Sequence, residues 1–367
     1  MRVGVLGGGQ LGRMLALAGA PLGISTIHLD PAQDACAGQV APVLVGRYDD
    51  PALVAELSRQ VDVVTVELEQ VPLGAFDHVR EGVPARPPAA AVEVTQDRLL
   101  EKRLFRELGI PAPRFHAVDG PDDVKAAVEA LGLPLLLKTR DGGYDGKGQL
   151  LVRDPAALAG AWDELGGRLL IAEEVVSFER EVSVVAVRGL DGETRAYPLV
   201  ENLHAGGILR VTRAPAETDA TLAADAERYA ARILDRLGHV GVLAVELFDA
   251  GGQLLANEIA PRVHNSGHWT IEGAETSQFE NHLRAICGLP LGSTALVRPS
   301  AMVNLIGDVP PAADVLAIPG ARLHLYGKAP RPGRKLGHVT VTAPDEGTLL
   351  RRLASVRALV RIADGAA

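Results

Sequence analysis

Cysteine is nearly missing from this chain: Cys36 and Cys287 are the only two in 367 residues. Two thiols cannot build a disulfide framework or a thiolate metal cluster, which fits a reducing cytosol. Lysine is scarce too, with six (Lys102, Lys125, Lys138, Lys147, Lys328 and Lys335) among 37 basic residues. Arginine fills the other positive positions, so each lysine stands out as a compact point charge. Positive charge is in deficit overall, 37 basic residues against 46 acidic for a net charge of −9. A net acidic surface repels phosphate backbones and anionic lipid, so nucleic-acid and membrane-surface partners are not expected. Any anion bound here needs a local basic pocket. No apolar run reaches the roughly 18 residues that a bilayer requires. The apolar start is interrupted by Gly7–Gly9 and Arg13, so it reads as a strand and a glycine turn rather than an export signal. The expected location is cytoplasmic.

What is present is ordinary globular material, 47% hydrophobic and 23% charged. At roughly 150 residues per domain the chain should form two or three domains. Arg2–Leu6, Ser25–Leu29 and Val61–Val66 read as strands alternating with helical runs, which indicates a parallel, doubly wound α/β unit. The proline-rich stretch 83–88 reads as a linker closing it. A helix is expected over Thr95–Leu108. Strands are expected at 135–137, 150–152, 169–176, 181–187, 242–247 and 254–259. Ser277 and Glu280 form a capping box ahead of a helix that places Phe279, Leu283 and Ile286 on one face. Two further strands, 323–326 and 339–342, surround a basic loop.

Several motifs carry chemistry. Gly7, Gly9 and Gly12 sit between a strand and a helix, with Asp30 eighteen residues on, in the pattern of a dinucleotide-binding turn. The residues alone leave open a structural turn, a phosphate contact or a nicotinamide cofactor. The loop 141–149 is more specific. Its four glycines allow backbone N–H groups to fold over phosphates, while Lys138 and Lys147 supply ammonium charge. It is not a Walker loop, because Gly148 follows Lys147. Glu246 and Glu258 lie on two strands joined by a short turn, nearly opposite each other. Carboxylates so placed repel unless a proton or a cation intervenes, and with the oxygen of Asn257 they describe a magnesium site. Arg262, His264 and Asn265 follow in a polar loop suited to substrate contact. His264 and His268 are four apart, but Gly267 and Pro261 argue against a helical zinc pair. Lys328, Arg331, Arg334 and Lys335 could converge on one anion. Glu173 and Glu174 could meet an adenine through backbone and a ribose through carboxylate, with Glu181 similar.

The stretches Gly8–Met14, Gly142–Gln149, Ala260–Thr270 and Arg331–His338, in that order and spacing, resemble the 5-(carboxyamino)imidazole ribonucleotide synthetase family of ATP-grasp ligases. The stretch Glu67–Pro72 departs from the family pattern, where an aromatic and an asparagine are common. The resemblance implies an α/β and α+β protein with an ATP-grasp fold. An N-terminal Rossmann-like (pre-ATP-grasp) α/β domain would cover 1–92, the ATP-grasp domain 93–294 and a small C-terminal domain 295–367. It implies that ATP, magnesium or manganese, bicarbonate and 5-aminoimidazole ribonucleotide are used, and that the protein is a cytoplasmic homodimer. By position, ATP would meet Arg98, Lys138, Gly143, Tyr144, Asp145, Gly146, Lys147, Gly148 and Gln149. Its adenine and ribose end would meet Glu173, Glu174, Val175, Val176 and Glu181, with His204, Asn257 and Glu258 also in the ATP site. Glu246 and Glu258 would hold the metal. The ribonucleotide would meet Tyr144, Asp145, Lys147, Arg262, His264, Asn265, Arg334 and Lys335. Tyr144, Asp145, Lys147 and Lys335 are the expected catalytic residues, with the 143–149 loop closing over the reactive intermediate. The competing readings are another ATP-grasp carboxylate–amine ligase, a nucleotide-sensing module without turnover, and a nicotinamide-dependent oxidoreductase.

Overall fold

The computed structural model describes residues 1–142, 148–154 and 158–362. The chain opens with β1 (Arg2–Leu6), α1 (Gln10–Gly19), β2 (Ser25–Asp30), β3 (Val43–Val45), α2 (Pro51–Arg59) and β4 (Val63–Val66). Its strands form a parallel sheet in the order β3-β2-β1-β4. Helices on the faces of such a sheet bury both sides of its central strands, which explains the unbroken apolar runs. Val3, Val5, Val63 and Val64 are all fully buried. The stretch expected as a linker adds to this sheet, since Val64 and Ala85 form a parallel bridge.

The single helix expected over Thr95–Leu108 is two, α3 (Ala89–Gln96) and α4 (Arg98–Glu107). Asp97 breaks the run in an extended conformation and caps α4 by accepting from the N–H groups of Leu99 and Leu100. A four-stranded antiparallel sheet follows, built from β5 (Phe115–Val118), β6 (Leu135–Thr139), β7 (Gln149–Val152) and β8 (Leu170–Glu174), with α5 (Pro121–Leu131) and α6 (Leu158–Glu164) beside it. Its order is β5-β8-β6-β7. β8 stops two residues short of the expected 176 for a local reason. The register brings Val175 opposite Pro113 on one side and Pro134 on the other, and neither has an N–H to donate.

The rest of the chain runs β9 (Arg180–Arg188), β10 (Thr194–Ala196), β11 (Val200–Ala205), β12 (Ile208–Ala214), α7 (Ala220–Arg236), β13 (Gly241–Asp249), β14 (Leu254–Ala260), α8 (Thr270–Gly273), α9 (Gln278–Ile286), β15 (Ser300–Ile306), α10 (Ala312–Leu316), β16 (Ala321–Leu325), β17 (Lys335–Thr342) and α11 (Glu346–Leu359). All nine strands share one antiparallel sheet, ordered β14-β13-β9-β11-β12-β15-β17-β16 with β10 beside β9. The C-terminal segment has its own core of Val303, Val339, Leu349 and Val356. Its sheet is nevertheless continuous with the central one, because β12 pairs with β15 and sets Val211 opposite Val303. The capping box is formed, with Ser277 accepting from the N–H of Glu280, and Phe279, Leu283 and Ile286 are buried.

Candidate active site

A cavity of about 1030 Å³ opens between the four-stranded and nine-stranded sheets. Lys138 and Gln149 enter it from the first sheet, and Glu181, His204, Glu246 and Glu258 from the second. Arg98 comes from the first turn of α4, and Arg262, His264 and Asn265 from the loop after β14. Lys335 arrives from the start of β17, while Gln10 and Glu69 come from the N-terminal unit.

The carboxylate hairpin has the register its sequence implies: Glu246 and Glu258 are direct partners across β13 and β14, beside a bulge at Glu246/Leu247. Each has a cationic neighbour. His264 Nε2 lies 3.2 Å from Glu246, and Arg98 Nη1 lies 3.2 Å from Glu258. Burial raises the pKa of Glu246, but the His264 hydrogen bond and the charges of His264, His204 and Lys335 outweigh it and bring the group down to about 2. Glu246 is thus ionised at neutral pH. Asn257 Oδ1, on the same strand, is buried without a hydrogen-bond partner. Buried acceptors of this kind cost free energy unless a donor or cation meets them. Two carboxylates and an unmatched amide oxygen have the chemistry to hold a hard divalent cation. Among the described residues no group of three or more His, Cys, Asp or Glu is placed to hold a metal ion.

Beneath the site lies a buried charge network. Glu173 Oε2 accepts from Lys138 Nζ at 2.9 Å and lies 3.6 Å from Lys102 Nζ. Burial opposes the charge on Glu173, but Lys102 and Lys138 hold its pKa at about 2. Glu69 likewise stays ionised at about 2 despite burial, because Arg262 donates to it from Nε at 2.5 Å. His204 is ion-paired with Glu181. Burial lowers its pKa, yet Glu181 and Glu246 together raise it above the usual histidine value.

The glycine turn at the N-terminus is different. The N–H of Gly9 donates to Glu67 Oε1, that of Gly12 to Glu67 Oε2 at 2.5 Å, and that of Gly8 to Asp30 Oδ2 at 2.7 Å. Tyr48 donates to Asp30 as well, at 3.1 Å. The amides that a dinucleotide's phosphates would need are filled by the chain's own carboxylates, and the acidic residue that would take a ribose is engaged. The phosphate and nicotinamide readings of this turn therefore fall, and the structural turn stands.

Three family models match the chain: a ribonucleotide synthetase pre-ATP-grasp domain over 1–96, an ATP-grasp domain over 103–279 and a phosphoribosylaminoimidazole carboxylase C-terminal domain over 300–352. The N5-carboxyaminoimidazole ribonucleotide synthase of Pseudomonas aeruginosa is 54% identical over 98% of this chain and 99% of its own length. The chain belongs to the N5-carboxyaminoimidazole ribonucleotide synthase family. The crystal structure of the family member from Thermus thermophilus superposes with a TM-score of 0.94 at 54% identity, covering 97% of this chain and 98% of that one. The Aspergillus clavatus synthase, solved with ADP and 5-aminoimidazole ribonucleotide, matches at a TM-score of 0.91 and 34% identity, over 98% of both chains.

Within this family fold the expected site residues divide. Gly143, Tyr144, Asp145, Gly146 and Lys147 lie outside the described residues. Arg98, Lys138, Gln149, Glu181, His204, Glu246, Asn257, Glu258, Arg262, His264, Asn265 and Lys335 line this cavity. Glu173 and Glu174 do not offer their carboxylates to it. The first holds Lys138 and Lys102, and the second accepts from Arg114 N and Nε, both at 2.7 Å. Val175 is exposed, and neither it nor Val176 lines the cavity. Gly148 is set by geometry, since its φ of +70° and a Cβ position 2.6 Å from Thr139 Oγ1 exclude a side chain. Two side chains of the basic loop reach the cavity lining. Lys335 faces the cavity, Lys328 donates to Gln10 Oε1 at 2.5 Å, and Arg334 is directed at the carbonyl of Ala329 at 3.3 Å.

The run Ala260–Thr270 also splits. Val263, Ser266, His268, Trp269 and Thr270 are buried, with Trp269 edge-on to Tyr197 at 6.4 Å, so half of this stretch is packing. Sequence reasoning gave no role to Glu69, Glu101 or Lys102, although the scarcity of lysine had already set Lys102 apart. It also missed Phe178 and Phe248, whose rings stack at 4.7 Å along the cavity wall. Their rarity was the available signal, since the chain has only six phenylalanines.

Proposed function

We infer that the protein catalyses the ATP-dependent carboxylation of 5-aminoimidazole ribonucleotide, giving N5-carboxyaminoimidazole ribonucleotide, ADP and phosphate in purine biosynthesis. The observation that carries this reading at the site is the meeting, in one cavity, of two chemistries. Arg98, Lys138 and the Glu246/Asn257/Glu258 oxygen set line it together with Arg262, His264, Asn265 and Lys335, and His264 Nε2 lies 3.2 Å from Glu246. A bicarbonate oxygen attacks the γ-phosphorus of ATP, so that ADP leaves and carboxyphosphate forms. The exocyclic amine of the ribonucleotide then attacks the carboxyl carbon, directly or as released carbon dioxide, and phosphate departs. The chain's share is charge neutralisation and alignment, as in phosphoryl transfer generally. Arg98 and Lys138 offset negative charge on the phosphates, and the stacked Phe178 and Phe248 give the adenine a flat apolar wall. Glu246, Asn257 and Glu258 would hold magnesium or manganese, which supplies further charge neutralisation at the phosphates. Arg262 and Lys335 face the ribonucleotide, and His264 holds Glu246. Asp145 is assigned the proton lost by the amine, and Tyr144, Lys147 and Lys335 complete the catalytic set by resemblance.

Cytoplasmic location and a homodimer belong to the same proposal. They draw on the family resemblance; no helix among the described residues is long and apolar enough to cross a membrane. The deciding experiment measures ADP release with ATP and magnesium, adding bicarbonate and the ribonucleotide separately and together. ADP release that requires the ribonucleotide, with acid-labile carbon fixed in step, is expected. Release independent of the ribonucleotide would reassign the acceptor. No release at all would overturn the ligase reading.

A further inference from the structure

β14, which carries Asn257 and Glu258, is the edge strand of the nine-stranded sheet. Its inner side pairs with β13, and an edge strand's outer N–H and C=O groups have no neighbouring strand to meet. Here one turn of α4 meets them. Lys102 Nζ donates to the carbonyl of Asn257 at 2.7 Å and to that of Ala256 at 3.3 Å. Glu101 Oε1 accepts from the N–H of Ile259 at 2.5 Å. The two side chains thus grip the backbone on either side of Glu258, and both are buried, at 3% and 1% exposure. Lys102 also reaches Glu173 on β8 at 3.6 Å, and Glu173 fixes Lys138 at 2.9 Å. One ammonium therefore ties the strand bearing the carboxylate site to the sheet bearing the phosphate lysine.

We propose that Glu101 and Lys102 are positioning residues that act as a substitute strand, locking the register of β14 and so the separation between Lys138 and the Asn257/Glu258 oxygens. A buried lysine and glutamate are costly to desolvate, and a grip on backbone at the cation site gives that cost a use. The inference rests on the ligase reading for the identity of the cation site, but its test does not need turnover.

The test uses the full-length protein and manganese as the probe. Free Mn2+ is read by electron paramagnetic resonance with ATP present and with bicarbonate and ribonucleotide left out, and thermal melts are recorded alongside. Lys102→Met and Glu101→Leu each remove a backbone partner. They are expected to weaken Mn2+ binding in the ATP complex about tenfold or more, while the Kd for 5-aminoimidazole ribonucleotide, read by calorimetric titration, stays within about twofold. Lys102→Arg keeps donors and Glu101→Gln keeps the acceptor, and both should restore Mn2+ affinity to within about threefold. Folded Lys102→Met and Glu101→Leu proteins that bind Mn2+ like the parent would overturn the proposal. So would Glu101→Gln losing as much affinity as Glu101→Leu, because charge rather than the backbone bond would then matter. If Lys102→Met does not fold, the Glu101 pair decides. Failure of the ligase reading would appear separately, as absent ribonucleotide-dependent ADP release in the parent protein.

Discussion

Two parts of this molecule look alike in sequence, and the structure gives them opposite roles. The turn at Gly7–Gly12 and the central cleft both pair glycine-rich backbone with nearby carboxylates. At the turn, Glu67 occupies the amides of Gly9 and Gly12, so the helix start is neutralised from within. In the cleft, Asn257 Oδ1 is buried without a hydrogen-bond partner, while Lys138 and Lys335 line the cavity. A helix N-terminus attracts an anion whatever its source. An internal carboxylate, tethered and already desolvated, competes with any ligand there. A binding site is marked by what the fold leaves unmatched.

The sharpest way to break this contrast is Glu258→Gln, which removes one charge from the cation site and leaves Arg98 without its carboxylate. ADP formation should fall by about 100- to 1000-fold, roughly 3–4 kcal/mol of transition-state stabilisation, with the melting temperature little changed. A loss under tenfold would place the cation elsewhere. The reverse pattern is expected at the turn. Gly7 has φ of +119°, and a Cβ there would sit 2.1 Å from Glu67 Cγ. Gly7→Ala should destabilise by about 3 kcal/mol in urea melts while the affinity for ATP holds. Glu67→Gln leaves only one acceptor oxygen for two amides, at a cost of about 2 kcal/mol, and should create no NADPH binding by fluorescence. NADPH binding by this variant would revive the nucleotide reading of the turn.

Acidification sharpens the comparison by loosening the N-terminal unit without touching the cleft's ligands. His282 joins that unit to the central sheet. Its Nδ1 accepts from the N–H of Val242 at 3.1 Å, and its Nε2 meets Thr65 Oγ1 at 2.9 Å. Burial lowers the pKa of His282 to about 3 and that of His239 to about 4. Unfolding frees both to protonate near pH 6.5, so the unfolded state binds more protons below that pH. Their contribution is complete above about pH 6.5 and is lost as pH falls toward the folded values, at about 1.4 kcal/mol per pH unit for each ring. Urea melts at pH 7, 6 and 5 should show this slope, and His282→Gln should make it shallower. The smallest effect is expected from Arg334→Ala. Its half-buried side chain donates to the carbonyl of Ala329 at 3.3 Å, and its loss should cost under about 0.5 kcal/mol in KM for the ribonucleotide. Lys335→Ala should weaken the ribonucleotide step clearly more than ATP binding. Equal losses in the two would remove Lys335 from the ribonucleotide side.

The sequence by itself determined the elements whose signals are local. Period-two and continuous apolar runs marked β1, β4, β9 and β13, and the Ser277 box marked the start of α9. Reflecting one hairpin about its turn was enough to pair Glu246 with Glu258, because antiparallel register follows from the loop. Even the early end of β8 can be read from Pro113 and Pro134 once its neighbours are known. What only the tertiary structure decided depends on contacts far apart in the chain. Glu67 reaches the Gly9 amide across 58 positions, Arg262 reaches Glu69 across 193, and Lys102 reaches the Asn257 carbonyl across 155. No local pattern encodes these meetings, since each side chain is an ordinary charged residue until the fold removes its water. Burial then makes every unmatched charge expensive, and that expense sorts carboxylates that hold the fold from those left facing the cleft.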